Sequence, residues 1–149
     1  MTKYKSNVPL VTLKHIQSDF PKAKINDSAD AAEFIRQFYC DDISIFESFF
    51  ILMLNRANNT IGYAKISQGG ISGTVVDVRI IAKYAVDTLC TSVILAHNHP
   101  SGNTSPSNAD IDITRKTKTA LELLDIKVTD HVILTETDGY FSFADEGKL

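Results

Sequence analysis

Apolar positions along the chain alternate between helical and strand periods. Ala31, Phe34, Ile35 and Phe38 recur on one face of a helix that starts in Asp27–Asp30, with Asp30-x-x-Glu33 as its capping-box pattern. Asp41 and Asp42 break that pattern, and Ile43 to Leu54 follows as a dense apolar and aromatic run ending at Asn55. Such a run predicts a central strand, paired through the turn Arg56-Ala57-Asn58-Asn59 with a second strand from Thr60 to Ser67. Gln68-Gly69-Gly70 and Ser72-Gly73 read as loop, Thr74 to Val78 as a short strand, and Ile80 to Cys90 as a helix facing inward through Ile81, Tyr84, Ala85 and Leu89. Val93 to Ala96 has the length of a buried strand. From Ser107 the helical period returns, through Ile111, Thr114, Lys118 and Leu121 and through Ile113, Thr117, Ala120, Leu121 and Leu124, ending near Asp125. Ile126 to Leu134 reads as a strand, Thr135 to Gly139 as a turn, and Tyr140 to Phe143 as a last strand. Ahead of all this, Val8 to Leu13 reads as a strand with Val11 and Leu13 on one face, inside a polar stretch of scattered lysines. A single domain is therefore expected over residues 28–149, with 1–27 as a leader that is either packed in part or frayed, or else a basic arm.

The chemistry concentrates after the Val93–Ala96 run, which delivers His97 and His99 into a loop rich in proline, glycine and serine. On an extended chain, residues two apart share a face with Cα atoms about 6.6 Å apart, so both imidazoles can reach one ion. Catalytic zinc sites take three protein ligands, with His nitrogen at about 2.0–2.1 Å and Asp oxygen at about 2.0–2.2 Å, and leave a fourth position to water. Asp110, in the first turn of the helix starting at Ser107, is the candidate third ligand. Ser107-x-x-Asp110 is equally a capping-box pattern, and a carboxylate in a first turn is common; the paired histidines are what tip Asp110 toward a metal.

Glu47 falls inside the Ile43–Leu54 run and shares the face of Phe49, Ile51 and Met53. A carboxylate on an apolar face is either a general base held beside a metal or a strand-end glutamate reaching solvent, and spacing alone leaves both open. Glu33, Glu122 and Glu136 sit in patterns of solvated positions. His131, inside the Ile126–Leu134 strand, reads as a hydrogen-bonded structural residue. The alternative is that Asp130 or a neighbouring group orients a ligand imidazole through its other N–H. His15 has no such company.

Composition narrows the function classes. A chain of 149 residues is one domain with room for a core. Its net charge of −3 gives no overall basic footprint for a nucleic acid. The two cysteines, Cys40 and Cys90, form no C-x-x-C pair and read as small buried thiols in a reducing cytoplasm. No apolar run approaches the roughly 18 residues of a membrane span, and no signal-peptide pattern opens the chain, so a cytoplasmic protein without membrane association is expected. The missing C-x-x-C also argues against a zinc nucleoside deaminase. There is no internal repeat or low-complexity segment.

His97-x-His99, seven residues, then Ser107-x-x-Asp110 resembles the JAMM (MPN+, JAB) metalloprotease motif. The surrounding HNHPSGNTSPSNAD, the DHVIL at 130–134 and the ending GYFSFADEGKL resemble its RadC branch, from about Phe46 to Leu149. The resemblance implies an α/β (α+β) fold with a mixed, partly antiparallel central sheet flanked by helices, in the cytidine-deaminase-like JAB/MPN architecture. It implies one zinc ion held by His97, His99 and Asp110, with Glu47 as general base and Ser107 as oxyanion donor, in a metallopeptidase acting on a peptide or isopeptide bond of a peptide or protein substrate. The Ser107 hydroxyl then has two tasks, cap and oxyanion donor, which compete for its direction. Pro100 and Pro106 hold the loop's shape, and Gly102 lets a substrate backbone approach. A DNA-repair role is the alternative attached to the RadC name; the acidic balance and a leader too short for a helix-hairpin-helix module weigh against it.

Overall fold

The computed structural model describes residues 8–12, 14–70 and 73–149. Its elements in chain order are α1 (Ser28–Arg36), β1 (Ser48–Leu54), β2 (Thr60–Gln68), α2 (Val78–Asp87), β3 (Ser92–Asn98), α3 (Asn108–Glu122), β4 (Lys127–Leu134) and β5 (Tyr140–Ser142). The strands form one mixed sheet in the order β2-β1-β3-β4-β5. Only the β3–β4 pair is parallel, because α3 is the crossover that a parallel connection needs.

Period-two alternation divides the core. Phe50, Leu52, Leu54, Ile94, Ala96, Val132 and Leu134 pack against α1 through Ala31, Phe34, Ile35 and Phe38. Phe49, Ile51, Met53, Val93 and Leu95 pack on the opposite face against Ile81 and Ala85 of α2 and Leu121 of α3. Glu47 and His97 belong to this second face by alternation. The α/β class and the mixed sheet are as the sequence implied.

Several boundaries differ from expectation, each for a local reason. β1 begins at Ser48 because Asn98 intercepts the chain before it: its amide donates to the carbonyls of Ile43 (2.6 Å) and Phe46 (2.8 Å) and accepts from the Ser48 N–H (2.8 Å). Residues 43–46 therefore curve around Asn98 instead of extending the ladder. The α1 cap is Asp27, whose carboxylate accepts the Asp30 N–H, while Asp30 turns back to accept from Asn26. Thr74 to Val78 is not a strand, since residues 74–77 have no ladder partner and Asp77 caps α2 directly. α2 ends at Asp87, so Leu89 leaves the expected face; it adopts a φ of 53° and is exposed, as is much of Tyr84. α3 ends at Glu122, before the turn in which Asp125 takes a φ of 57°. Cys40 is exposed, whereas Cys90 is buried as expected.

In the leader, residues 8–12 form no strand, and Leu13 lies outside the described residues. Residues from Phe20 onward join the body: Ala23 exchanges hydrogen bonds with Thr60, Ile25 donates to Asn58, and the Phe20 ring packs near Phe38 and Tyr63. Among the described residues no helix is long and apolar enough to cross a membrane.

Candidate metal centre

The carboxyl end of β3, the first turn of α3 and the approach to β1 meet on the α2/α3 face of the sheet. His97 is still within β3, paired opposite Phe49, and its ring lies parallel to the Phe49 ring at 5.9 Å. His99 follows one residue past the strand, so the extended backbone aims both rings the same way. Asp110 arrives from α3. The Ser107 hydroxyl accepts its N–H at 3.2 Å and the Asp110 carboxylate accepts the Ser107 N–H at 2.7 Å, so the capping box is complete. The cap does not take Asp110 out of the cluster, because a carboxylate oxygen that accepts the Ser107 N–H keeps a lone pair toward the histidines.

Three side-chain atoms converge. Nε2 of His97 lies 3.0 Å from Nε2 of His99 and 3.1 Å from Oδ1 of Asp110, and Nε2 of His99 lies 3.4 Å from Oδ2 of Asp110. An ion holding tetrahedral N and O ligands at about 2.0–2.2 Å spaces them about 3.3–3.6 Å apart, within a few tenths of an ångström of these separations. The cluster could hold a metal. The outer nitrogens are engaged as well: Nδ1 of His99 donates to the Asn103 carbonyl at 2.6 Å, and Nδ1 of His97 lies 2.8 Å from Nε2 of His131.

Burial acts on this cluster against strong polar contacts. It pushes the Asp110 carboxyl up, but the contacts of His97 and His99 when those rings are protonated, the charge of His97 and the Ser107 N–H outweigh it and hold the group far below the usual carboxylate range. The Asp110 hydrogen bond raises the His99 imidazole, against partial burial. His131 is wholly buried, and desolvation keeps its ring neutral, well below the ordinary histidine range.

Glu47 borders the same cavity of about 530 Å³, with Phe49, Thr74, His99, Ser107 and Asp110 around it. It stands one residue before β1, not within it, and its main chain is held by Gly69 and Gly70: Glu47 N–H donates to the Gly70 carbonyl and Gly69 N–H to the Glu47 carbonyl. A Cβ at Gly69 would collide with the Gly73 carbonyl and Thr74, so only glycine lets the loop fold back this closely on itself beside Glu47's main-chain partner. Half-burial raises the Glu47 carboxyl; the charges of His97 and His99 oppose the rise and that of Asp110 adds to it.

Glu47, His97, His99, Ser107 and Asp110 are thus brought together, and His131 joins them through His97. Asp130 does not: its carboxylate accepts from the Ser142 hydroxyl and from the His131 and Ala144 N–H groups. Thr114 was not singled out as a polar partner by sequence reasoning. Its signal was present, four residues after Asp110 on the inward side of α3.

Known proteins share this arrangement of sequence. Over 101 residues, covering 68% of this chain and 44% of the relative, the chain is 54% identical to a UPF0758 protein of Flavobacterium johnsoniae. It is 41% identical over 128 residues to a UPF0758 protein of Porphyromonas gingivalis, covering 86% of this chain and 56% of the relative. It is 46% identical over 103 residues to UPF0758 protein YfjY of Escherichia coli (strain K12), covering 69% and 64%. The chain thus spans about half the length of the curated relatives it matches. A description of the RadC-like JAB domain fits residues 25–148, which take in Glu47, both ligand-type histidines, Ser107, Asp110 and His131, and the chain belongs to that family.

Proposed function

We propose that this domain is a zinc-dependent metallopeptidase that hydrolyses a peptide or isopeptide bond, with one zinc held by His97, His99 and Asp110. One observation carries the reading. The Asn103 carbonyl can only accept, so a neutral His99 ring has its proton on Nδ1 and a bare lone pair on Nε2. That lone pair faces a second imidazole nitrogen at 3.0 Å and a carboxylate oxygen at 3.4 Å. Lone pairs gathered this closely repel unless a cation or a proton sits among them, and two imidazoles with a carboxylate suit zinc.

When bound, the ion supplies Lewis-acid polarisation of a carbonyl and activation of water near neutral pH. The chain's own groups do the rest. Glu47, half-buried at the cavity edge with its carboxyl raised, accepts the proton from the attacking water and returns it to the leaving amine. Ser107 spends a lone pair on the α3 cap, which leaves its O–H to donate to the developing oxyanion, so the two tasks draw on different parts of one hydroxyl. Phe49, Val76 and Ile113 give the cavity an apolar wall that limits water around the reacting carbonyl. Its described lining contains two carboxylates and no lysine or arginine, which disfavours a phosphate backbone as the bound group. We place the reaction in the cytoplasm, where unpaired Cys40 and Cys90 stay reduced.

Metal analysis of the purified chain, combined with a panel of peptide and isopeptide substrates with and without chelator, tests the reading. Expected are about one zinc per chain, as for a three-ligand catalytic site, its loss in Asp110→Ala, and hydrolysis that stops on chelation. Full zinc occupancy in Asp110→Ala, or hydrolysis indifferent to chelator, overturns it.

A further inference from the structure

We propose that Thr114 and His131 form a positioning relay that decides which nitrogen of His97 carries the proton, keeping Nε2 of that ring bare toward the cluster. The inference rests on the metal reading above for its purpose, though not for its geometry. The polarity follows link by link. The Thr114 hydroxyl has one hydrogen, and it goes to the main-chain carbonyl of Asp110 at 2.5 Å. The same oxygen lies 2.6 Å from Nδ1 of His131, so that nitrogen is the donor. A neutral imidazole protonated on Nδ1 has an acceptor at Nε2, and Nε2 of His131 faces Nδ1 of His97 at 2.8 Å. His97 therefore donates from Nδ1 and leaves Nε2 without a proton.

The relay begins on the backbone of Asp110 and ends on the ring of His97. It joins α3 to β3 through β4, where the parallel register sets His131 beside Leu95. Every member is buried, so water does not offer the rings an alternative partner: His97 is 1% exposed, His131 0% and Thr114 2%. His131 is further clamped by the Phe143 ring, parallel to it at 4.8 Å, and by the Phe49 ring in a T-shaped contact at 5.4 Å. A ring stacked on one aromatic neighbour, wedged against a second and bonded at both nitrogens has one orientation and one tautomer. His99 reaches the same proton arrangement by a separate route, through Asn103. Two independent devices thus present two bare Nε2 atoms to the same point.

The test uses the whole 149-residue chain. Thr114→Val keeps the shape of the side chain and removes only the hydroxyl; Thr114→Ser restores it; His131→Leu removes the intermediate ring. Nitrogen-15 spectra of the metal-free protein report the His97 tautomer, and competition with a chromophoric chelator reports zinc affinity. The wild type and Thr114→Ser are expected to show His97 protonated on Nδ1. Thr114→Val is expected to show a mixture of tautomers and, with His131→Leu, zinc binding weaker by about 10- to 100-fold. A His97 ring protonated on Nε2 in the wild type overturns the relay. So does a folded Thr114→Val protein with unchanged tautomer and zinc affinity. A wild type that takes up no zinc overturns the metallopeptidase reading alone, since the tautomer is read without metal.

Discussion

The carbonyl of Asn103 lies 2.6 Å from Nδ1 of His99, so the loop that follows β3 folds back to hold the ring that β3 delivers. Gly102 makes this possible. Its φ of +81° turns the chain, and its N–H donates to the His99 carbonyl at 3.1 Å.

A Cβ at Gly102 would meet no neighbouring atom, so Gly102→Ala is strained by its backbone angle alone, by about 1–2 kcal/mol. The exposed loop is expected to relieve that strain by moving the Asn103 carbonyl off His99. Zinc affinity then falls about tenfold, equivalent to 1.4 kcal/mol, while urea unfolding of the metal-free chain changes little. Gly102→Asn, which tolerates positive φ better, should lose less. Equal zinc affinity in wild type and Gly102→Ala would show that Asn103 does not hold the ring.

Glu47→Gln keeps the shape of the side chain and removes its basicity. Turnover is expected to fall by about 10²- to 10⁴-fold with zinc content unchanged. Stability should move the other way. Burial raises the Glu47 carboxyl above its ordinary 4.5, so its contribution is complete below that pH and is lost as pH rises through the raised value. At neutral pH the metal-free Gln variant should unfold at slightly higher urea than the wild type. A variant that loses both activity and zinc would make Glu47 a ligand and not a base.

What the sequence predicted well was whatever local period dictates. Two histidines two apart at the end of a strand, a carboxylate in the next first turn and a hairpin through Asn55–Asn59 each need only neighbours in the chain, and the structure has all of them. Errors arose where distant residues intervene or where two local signals compete. Asn98 ends β1 fifty positions upstream, so no pattern in Ile43–Leu54 could show that Glu47 precedes the strand. Asp27 and Asp30 offer the same capping chemistry three residues apart, and propensity does not choose between them. Leu89 fits the apolar period of α2, but the helix stops before it. His131 reads in the sequence as a hydrogen-bonded structural residue, and its partner His97 emerges only once β4 lies parallel to β3.

Ser107→Ala separates the two uses of one hydroxyl. Losing the acceptor that caps α3 costs about 1 kcal/mol of stability, read by urea unfolding. Losing the donor to an oxyanion costs about 2.7–4 kcal/mol of transition-state stabilisation, or about 10²–10³ in kcat. The variant is expected to show both effects, the kinetic loss well beyond the stability loss. Ser107→Thr should recover both, because it keeps oxygen and hydrogen alike. A stability loss with kcat unchanged would leave Ser107 as a cap only.

Asp130 provides the pH-dependent test of the structural frame behind His131. Its Oδ1 accepts the N–H groups of His131 (2.7 Å) and Ala144 (3.0 Å), and its Oδ2 accepts the Ser142 hydroxyl (2.6 Å), tying the last turn of the chain to β4. Burial raises its carboxyl above the ordinary 3.8 despite these three bonds. For an acid with a raised folded value, the stabilising contribution is complete below pH 3.8 and fades as pH rises through the folded value. Asp130→Asn keeps an oxygen for both N–H groups and turns its amide toward Ser142, whose oxygen can accept. It should match or exceed the wild type in urea unfolding at pH 7, and the wild type should gain on it as the pH is lowered toward 4. Asp130→Ala leaves the His131 N–H buried without a partner and should cost about 1–3 kcal/mol at either pH. An Asn variant as unstable as the Ala variant, or a wild type that loses ground to it on acidification, would mean that the charge on Asp130 supports the fold at neutral pH and that burial is not the dominant influence on it.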